Sequence, residues 1–183
     1  MHRFSRRSLI HRRTFAALLL AVAWPGLDQA NAGETKPGST IVFVCEHGSV
    51  KSLMAMQWFN KLATERGLLN RAISRGITPD QAVPQGIADN LAKDGLPVRG
   101  FTPTRLAKSD LSDALRVISI GVDVTSVTQG SAVRVDGWND IPSASENYAA
   151  SRDALRVRIE SLLTEIGGVE SKSRLRGPRR PIR

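Results

Sequence analysis

The chain has 183 residues, a formal net charge of +9, 5% aromatic residues and one cysteine. Residues 1–32 hold five Arg against one Asp, and residues 171–183 hold six Lys or Arg and no acid. The stretch 33–170 carries fifteen basic and sixteen acidic residues, a net of −1, so the basic character belongs to the two ends. A near-neutral middle with few aromatics excludes a basic nucleic-acid-binding domain, which needs charge to neutralise phosphates and rings to stack bases. The length suits one domain with one ordinary core.

The N-terminus reads Ser5-Arg6-Arg7-Ser8-Leu9-Ile10, then His11-Arg12-Arg13-Thr14-Phe15, an apolar run from Phe15 to Trp24, and Ala30-Asn31-Ala32. A basic start, a short apolar run and an A-x-A site are the parts of a secretory signal peptide. The run of ten apolar residues covers only about half of a hydrocarbon core, so no stable membrane span is expected after cleavage. Both Arg pairs resemble a twin-arginine signal, whose receptor exports folded proteins. The expectation is a signal peptide over 1–32, cleavage after Ala32, and a periplasmic or secreted bacterial protein that starts at Gly33. Residues 33–40, polar with Gly and Pro, read as a linker. Cys45 is the one cysteine, so no intramolecular disulfide can form. A lone thiol in an exported protein is either buried and inert or kept for chemistry.

Ile41-Val42-Phe43-Val44 is a continuous apolar run, as expected of a strand covered on both faces. It leads directly into Cys45-Glu46-His47-Gly48-Ser49-Val50-Lys51-Ser52. Leu53, Met54, Met56, Trp58, Phe59 and Leu62 then predict a helix ending near Gly67, with Trp58 and Phe59 in the core. Ala72 to Gly76 predicts a second strand, Pro84 to Lys93 a helix with Pro in its first turn, and 98–103 an irregular segment. Leu106 to Ala114 reads as a short helix, Leu115 to Ile120 as a strand closed by Gly121, and Val133 to Val135 as a last strand. The final helix is expected from Ala144 to Ile166, opened by a capping box Ser143-x-x-Glu146 and stopped by Gly167-Gly168. Trp138 fits either the core or the lip of a site. Alternating strands and helices predict an α/β domain with a parallel sheet over 41–170. Residues 171–183 have little to bury and read as a basic disordered tail. The chain shows no internal repeat.

A cysteine at a strand end, followed at once by a helix, sits where a parallel sheet places its anion sites. Backbone N–H groups and Lys51 favour the ionised thiol, and a Ser52 hydroxyl can donate to it. The same amides suit a tetrahedral oxyanion, with Lys51 as counter-charge. No Cys/His/Asp cluster has metal-ligand spacing, so neither metal nor cofactor is expected, and His47 without a partner reads as a rim residue.

The run I-V-F-V-C-E-H-G-S-V-K-S resembles the strand, C-x5-R-S loop and helix of the low-molecular-weight protein tyrosine phosphatases and the arsenate reductases on the same fold. The likeness continues through S-R-G (74–76), G-F-T-P-T-R-L (100–106), V-I-S-I-G (117–121), W-N-D-I-P (138–142) and Arg152-Asp153, so it spans roughly 41–165. It implies a three-layer, flavodoxin-like domain with a four-stranded parallel sheet. It further implies Cys45 as nucleophile, Lys51 at the arginine position, Ser52 at the hydroxyl position, and Glu46, His47, Gly48, Ser49 and Val50 as the phosphate cradle.

The chain departs from the pattern at three places. Lys51 offers a point charge instead of a bidentate fork. His47-Gly48 replaces the usual Gly-Asn, removing the side chain that braces the loop. The late Asp-Pro that supplies a general acid falls on Ser143-Ala144, leaving Asp140 as the nearest acid. The resemblance therefore implies, first, hydrolysis of a phosphorylated small molecule or phosphotyrosine protein through a cysteinyl-phosphate. A protein that binds an inorganic oxyanion without turnover comes second. Arsenate reduction comes third, because no second cysteine can resolve a Cys45 intermediate.

Overall fold

The structure, a computed structural model, describes residues 40–96 and 98–175, with side chains as far as 168. The expected signal peptide, the linker before Thr40 and residues 176–183 of the expected tail lie outside the described residues. In chain order the elements are β1 (Thr40–Cys45), α1 (Lys51–Glu65), β2 (Arg71–Gly76), α2 (Gln85–Lys93), β3 (Ala114–Ser119), a one-turn α3 (Thr125–Thr128), β4 (Arg134–Gly137) and α4 (Tyr148–Leu175). The strands form one parallel sheet in the order β2-β1-β3-β4. This is the α/β, four-stranded parallel architecture with flanking helices that the sequence predicts.

Strand side chains alternate between faces, so a strand with no polar face needs cover on both sides. Ile41, Phe43 and Cys45 join the larger core with α1, α2 and α4, while Val42 and Val44 join a smaller core with Leu106, Leu111, Val117 and Val124. The Phe43 ring packs against Phe59 at 6.0 Å and Trp138 at 5.6 Å between centroids, which settles Trp138 as a core residue. The chain leaves β1 for β2 on one side and later returns to β3 on the other. The carboxyl end of β1 is therefore the switch point of the sheet, where a crevice for a ligand opens.

Gly67 and Gly95 end α1 and α2 with positive φ, the Leu68 N–H bonding Ala63 O at 2.9 Å and the Leu96 N–H bonding Leu91 O at 2.8 Å. These are the closing bonds of a Schellman motif, which needs a left-handed residue. Gly167 and Gly168 are not among the positive-φ glycines, so α4 runs through the expected stop to Leu175 and takes in the first five residues of the expected tail. A glycine inside a helix costs about 1 kcal/mol relative to alanine but does not end it. At its other end α4 starts at Tyr148, not Ala144, because the Asn147 carboxamide accepts the Ala150 N–H at 3.0 Å. The Ser143 hydroxyl meets that of Ser145 at 2.9 Å, so no capping box forms there. The helix expected over 106–114 contracts to a 3-10 turn, Lys108–Leu111. Asp110 accounts for that: its carboxylate accepts the Ala107 N–H at 2.9 Å and both ends of the Arg75 fork. Among the described residues no helix is long and apolar enough to cross a membrane.

Candidate functional site

The loop after β1 places Cys45, Gly48, Ser49 and Ser52 inside, Glu46 and His47 in solvent, and Val50 and Lys51 between. Val50 stands at the N-cap of α1, where its side chain makes no capping hydrogen bond, and no acid occupies the first turn. Helices ordinarily fill this position with a side-chain oxygen, because the first N–H groups have no partner within the helix. Valine cannot supply one. The positive end of the α1 dipole thus meets the loop without a protein carboxylate or hydroxyl cap.

Ser52 turns its hydroxyl back to the strand, with Oγ 3.0 Å from Cys45 Sγ. Ser74 Oγ, on β2, lies 2.8 Å from Ser52 Oγ and 2.9 Å from Gly48 O, to which its hydroxyl donates. A buried row therefore runs from the thiol through two hydroxyls to the loop backbone. The sequence marked Ser74 only as part of the S-R-G landmark; nothing but strand register could have shown that it faces Ser52. Lys51 extends toward Gly121 beyond β3, where a Cβ would lie 3.4 Å from Nζ. Among the described residues this ammonium has no hydrogen-bond or ion-pair partner.

The bracing that the loop lacks at Gly48 comes from the segment after β2. The Ile77, Thr78 and Asp80 N–H groups bond Cys45 O (3.1 Å), Glu46 O (2.8 Å) and His47 O (3.1 Å). Asp80 also accepts a hydrogen bond from the Ser49 hydroxyl, and its other oxygen is 3.4 Å from His47 Nδ1. Gly48 has φ +67 and lies so close to Gly76 that a Cβ on it would be 2.8 Å from Gly76 N. Sequence reading missed Asp80, since T-P-D-Q reads as an ordinary turn and nothing local ties it to a loop thirty residues earlier.

The structure brings Cys45 and Ser52 together across the loop of Glu46 to Val50, while Lys51, in the first turn of α1, extends its ammonium toward Gly121. Among the described residues Asp140 makes no hydrogen bond or ion pair with that loop. The Asp140 carboxylate, 67% exposed, pairs with Arg158 of α4. That guanidinium hydrogen bond holds Asp140 below the usual carboxylate range, the reverse of what a proton donor at neutral pH requires. His47 is an exposed rim residue with Asp80 as a partner. Among the described residues no group of three or more His, Cys, Asp and Glu could hold a metal.

An open groove of about 420 Å³ at the β4 edge of the sheet, between β3, β4 and α4, belongs to a different network. There the buried Arg116 binds Glu165 through both terminal nitrogens, at 2.9 and 2.7 Å, with Asp136 at 3.2 Å. Its residues tie β3 and β4 to α4 and share none with the loop.

A parallel four-stranded α/β domain with a cysteine at the foot of an uncapped helix and a hydroxyl 3.0 Å from its sulfur defines a class of α/β folds with a cysteine loop. Residues 40–128 match the family model "Low molecular weight phosphotyrosine protein phosphatase". Among solved structures it is similar to YfkJ from Bacillus subtilis, at 21% identity and a TM-score of 0.62 over 74% of this chain and 98% of that one. A low-molecular-weight protein tyrosine phosphatase from T. tengcongensis is 19% identical, with a TM-score of 0.61 over 70% of this chain and 99% of that one. A thioredoxin-dependent arsenate reductase from Corynebacterium glutamicum is 18% identical, with a TM-score of 0.59 over 73% of this chain and 64% of that one. At such identities the likeness establishes the fold. Among curated proteins none matches the chain in sequence.

Proposed function

We propose that the chain is an exported phosphomonoester hydrolase acting through Cys45. The match of residues 40–128 to a phosphatase family model supports phosphatase-type hydrolysis of a phosphorylated substrate in general. The observation that carries the specific reading is the 3.0 Å approach of Ser52 Oγ to Cys45 Sγ at the uncapped start of α1. In this reading the Cys45 thiolate attacks phosphorus, the ester P–O bond breaks, and the alkoxide or phenoxide leaves as it takes up a proton. Water then cleaves the S–P bond, releasing phosphate and the thiolate. The amides of 46–52 and the Lys51 ammonium face the equatorial oxygens, and Ser52 donates to the sulfur each time it is expelled. Asp140 can supply the proton only after leaving Arg158, so a substrate with a good leaving group, such as an aryl phosphate, is favoured. The chain should release phosphate from an aryl ester, Cys45→Ser should not, and equal rates for the two would end this reading. Lys51→Arg, which restores the fork, should raise kcat/KM by about tenfold.

A second reading, binding of an inorganic oxyanion without turnover, draws on the Asp140–Arg158 pair and on the lysine in place of a fork. Calorimetry with phosphate, arsenate and sulfate tests it; no heat at millimolar anion excludes it. Arsenate reduction ranks third, since with Cys45 as the one cysteine an external thiol such as glutathione or mycothiol would have to resolve the intermediate. Export rests on the composition of 1–32 alone. N-terminal sequencing of the protein recovered from a bacterial periplasm should begin at Gly33.

A further inference from the structure

We propose that Asp80 is the positioning residue of the oxyanion loop and biases it toward singly charged anions; the proposal rests on the reading above that the loop takes an oxyanion. The brace is visible in three contacts from one residue. Its N–H holds His47 O at 3.1 Å, one carboxylate oxygen accepts from Ser49, and the other lies 3.4 Å from His47 Nδ1. Ser49 is fully buried, so its hydroxyl depends on this acceptor. Asp80 thereby fixes the two residues on either side of Gly48, where the loop has no side chain of its own.

The same carboxylate places a negative charge one hydrogen bond from the cradle. Of the ionisable groups on the loop that it braces, His47 lies 3.4 Å from its carboxylate, and Cys45, Glu46 and Lys51 are the others of that loop and the first turn of α1. Asp140 is neutralised by Arg158. The Asp80 charge thus reaches the incoming anion through Ser49, and like charges at this range disfavour a dianion more than a monoanion. Sulfate is a dianion throughout the working pH range, whereas inorganic phosphate at mildly acidic pH is a monoanion.

Calorimetry on the full chain with sulfate, and with inorganic phosphate at mildly acidic pH, tests both halves. Asp80→Asn, which keeps an acceptor for Ser49 but removes the charge, should bind sulfate about threefold or more tightly than wild type, with a smaller gain for phosphate. A purely structural residue would give no gain. Ser49→Ala should weaken both anions by about fivefold, and that loss should disappear in an Asp80→Ala background. Sulfate affinity unchanged in Asp80→Asn overturns the charge bias, and additive losses overturn the brace. If Asp80→Ala does not fold, the same coupling is read between Ser49→Ala and Asp80→Asn in thermal melts. Failure of the oxyanion reading has a different mark: neither anion binds wild type or any variant. The charge bias then falls with it, while non-additive melting still supports the brace.

Discussion

Ser52 shows how much of the chemistry depends on one hydroxyl. Three contacts run from Cys45 Sγ through Ser52 and Ser74 to Gly48 O. A neutral thiol and two hydroxyls bring three protons to three contacts. After ionisation two protons remain, so Ser52 donates to sulfur and Ser74 is shared between Ser52 and the loop carbonyl. A hydrogen bond to a charged group contributes about 1.5–3 kcal/mol, so Ser52→Ala should lower turnover about tenfold to a hundredfold in steady-state kinetics. Ser74→Ala should cost less. Asp140 poses the opposite case. Its carboxyl lies below the usual range because of Arg158, so its protonated form is lost as pH rises before neutrality is reached. If Asp140 is the proton donor, Arg158→Ala returns it toward an ordinary carboxylic acid and moves the falling limb of the pH–rate profile to higher pH. An unmoved limb would leave Asp140 as a partner of Arg158 and nothing more. The thiol, the lysine and Ser52 are adjacent in the chain, which is why the sequence discloses them together; Ser74, Asp80 and Arg158 lie on other elements, and only folding brings them in.

At the scale of elements, two glycine pairs behave in contrary ways. Gly48 and Gly76 are in near-backbone contact, with a Cβ on Gly76 falling 2.8 Å from the His47 carbonyl carbon. Gly76→Ala should therefore destabilise the fold by about 1–3 kcal/mol in denaturant titration, because both clashing groups are main chain. Gly168 lies in α4 with nothing within 4 Å of a built Cβ. Gly168→Ala should stabilise by about 1 kcal/mol in the same measurement, and a loss would mean that the glycine serves a contact of its own. The sequence reads β1 and its loop well, since an unbroken apolar run followed by Cys has few other meanings. It reads the ends of α4 poorly. Ser143 and Asn147 are both acceptable caps, and a double glycine stops a helix only when its backbone turns left-handed.

Over the whole molecule, the charge of +9 resolves into two basic ends around a near-neutral domain held by internal ion pairs. The largest of these links β3, β4 and α4: Arg116 and Arg134 hold the Glu165 carboxyl well below its ordinary 4.5, at about 2. A depressed carboxylate stabilises the fold above its ordinary value and loses that contribution as pH falls toward the depressed one. Stability should therefore decline between about pH 4.5 and 2, and Glu165→Gln should flatten that decline in denaturant titrations at stepped pH. Glu165 is half exposed, so the slope is modest. No local pattern predicts this network, since its members lie on three elements. The parallel sheet, by contrast, was foreseeable from alternating strands and helices. The central claim remains local: a thiolate that becomes phosphorylated. Mixing the chain with an aryl phosphate, quenching in acid and weighing the Cys45 peptide by mass spectrometry tests it directly. The predicted result is one phosphoryl group on that peptide, absent in Cys45→Ser; phosphate release with no adduct, and undiminished in Cys45→Ser, would contradict it.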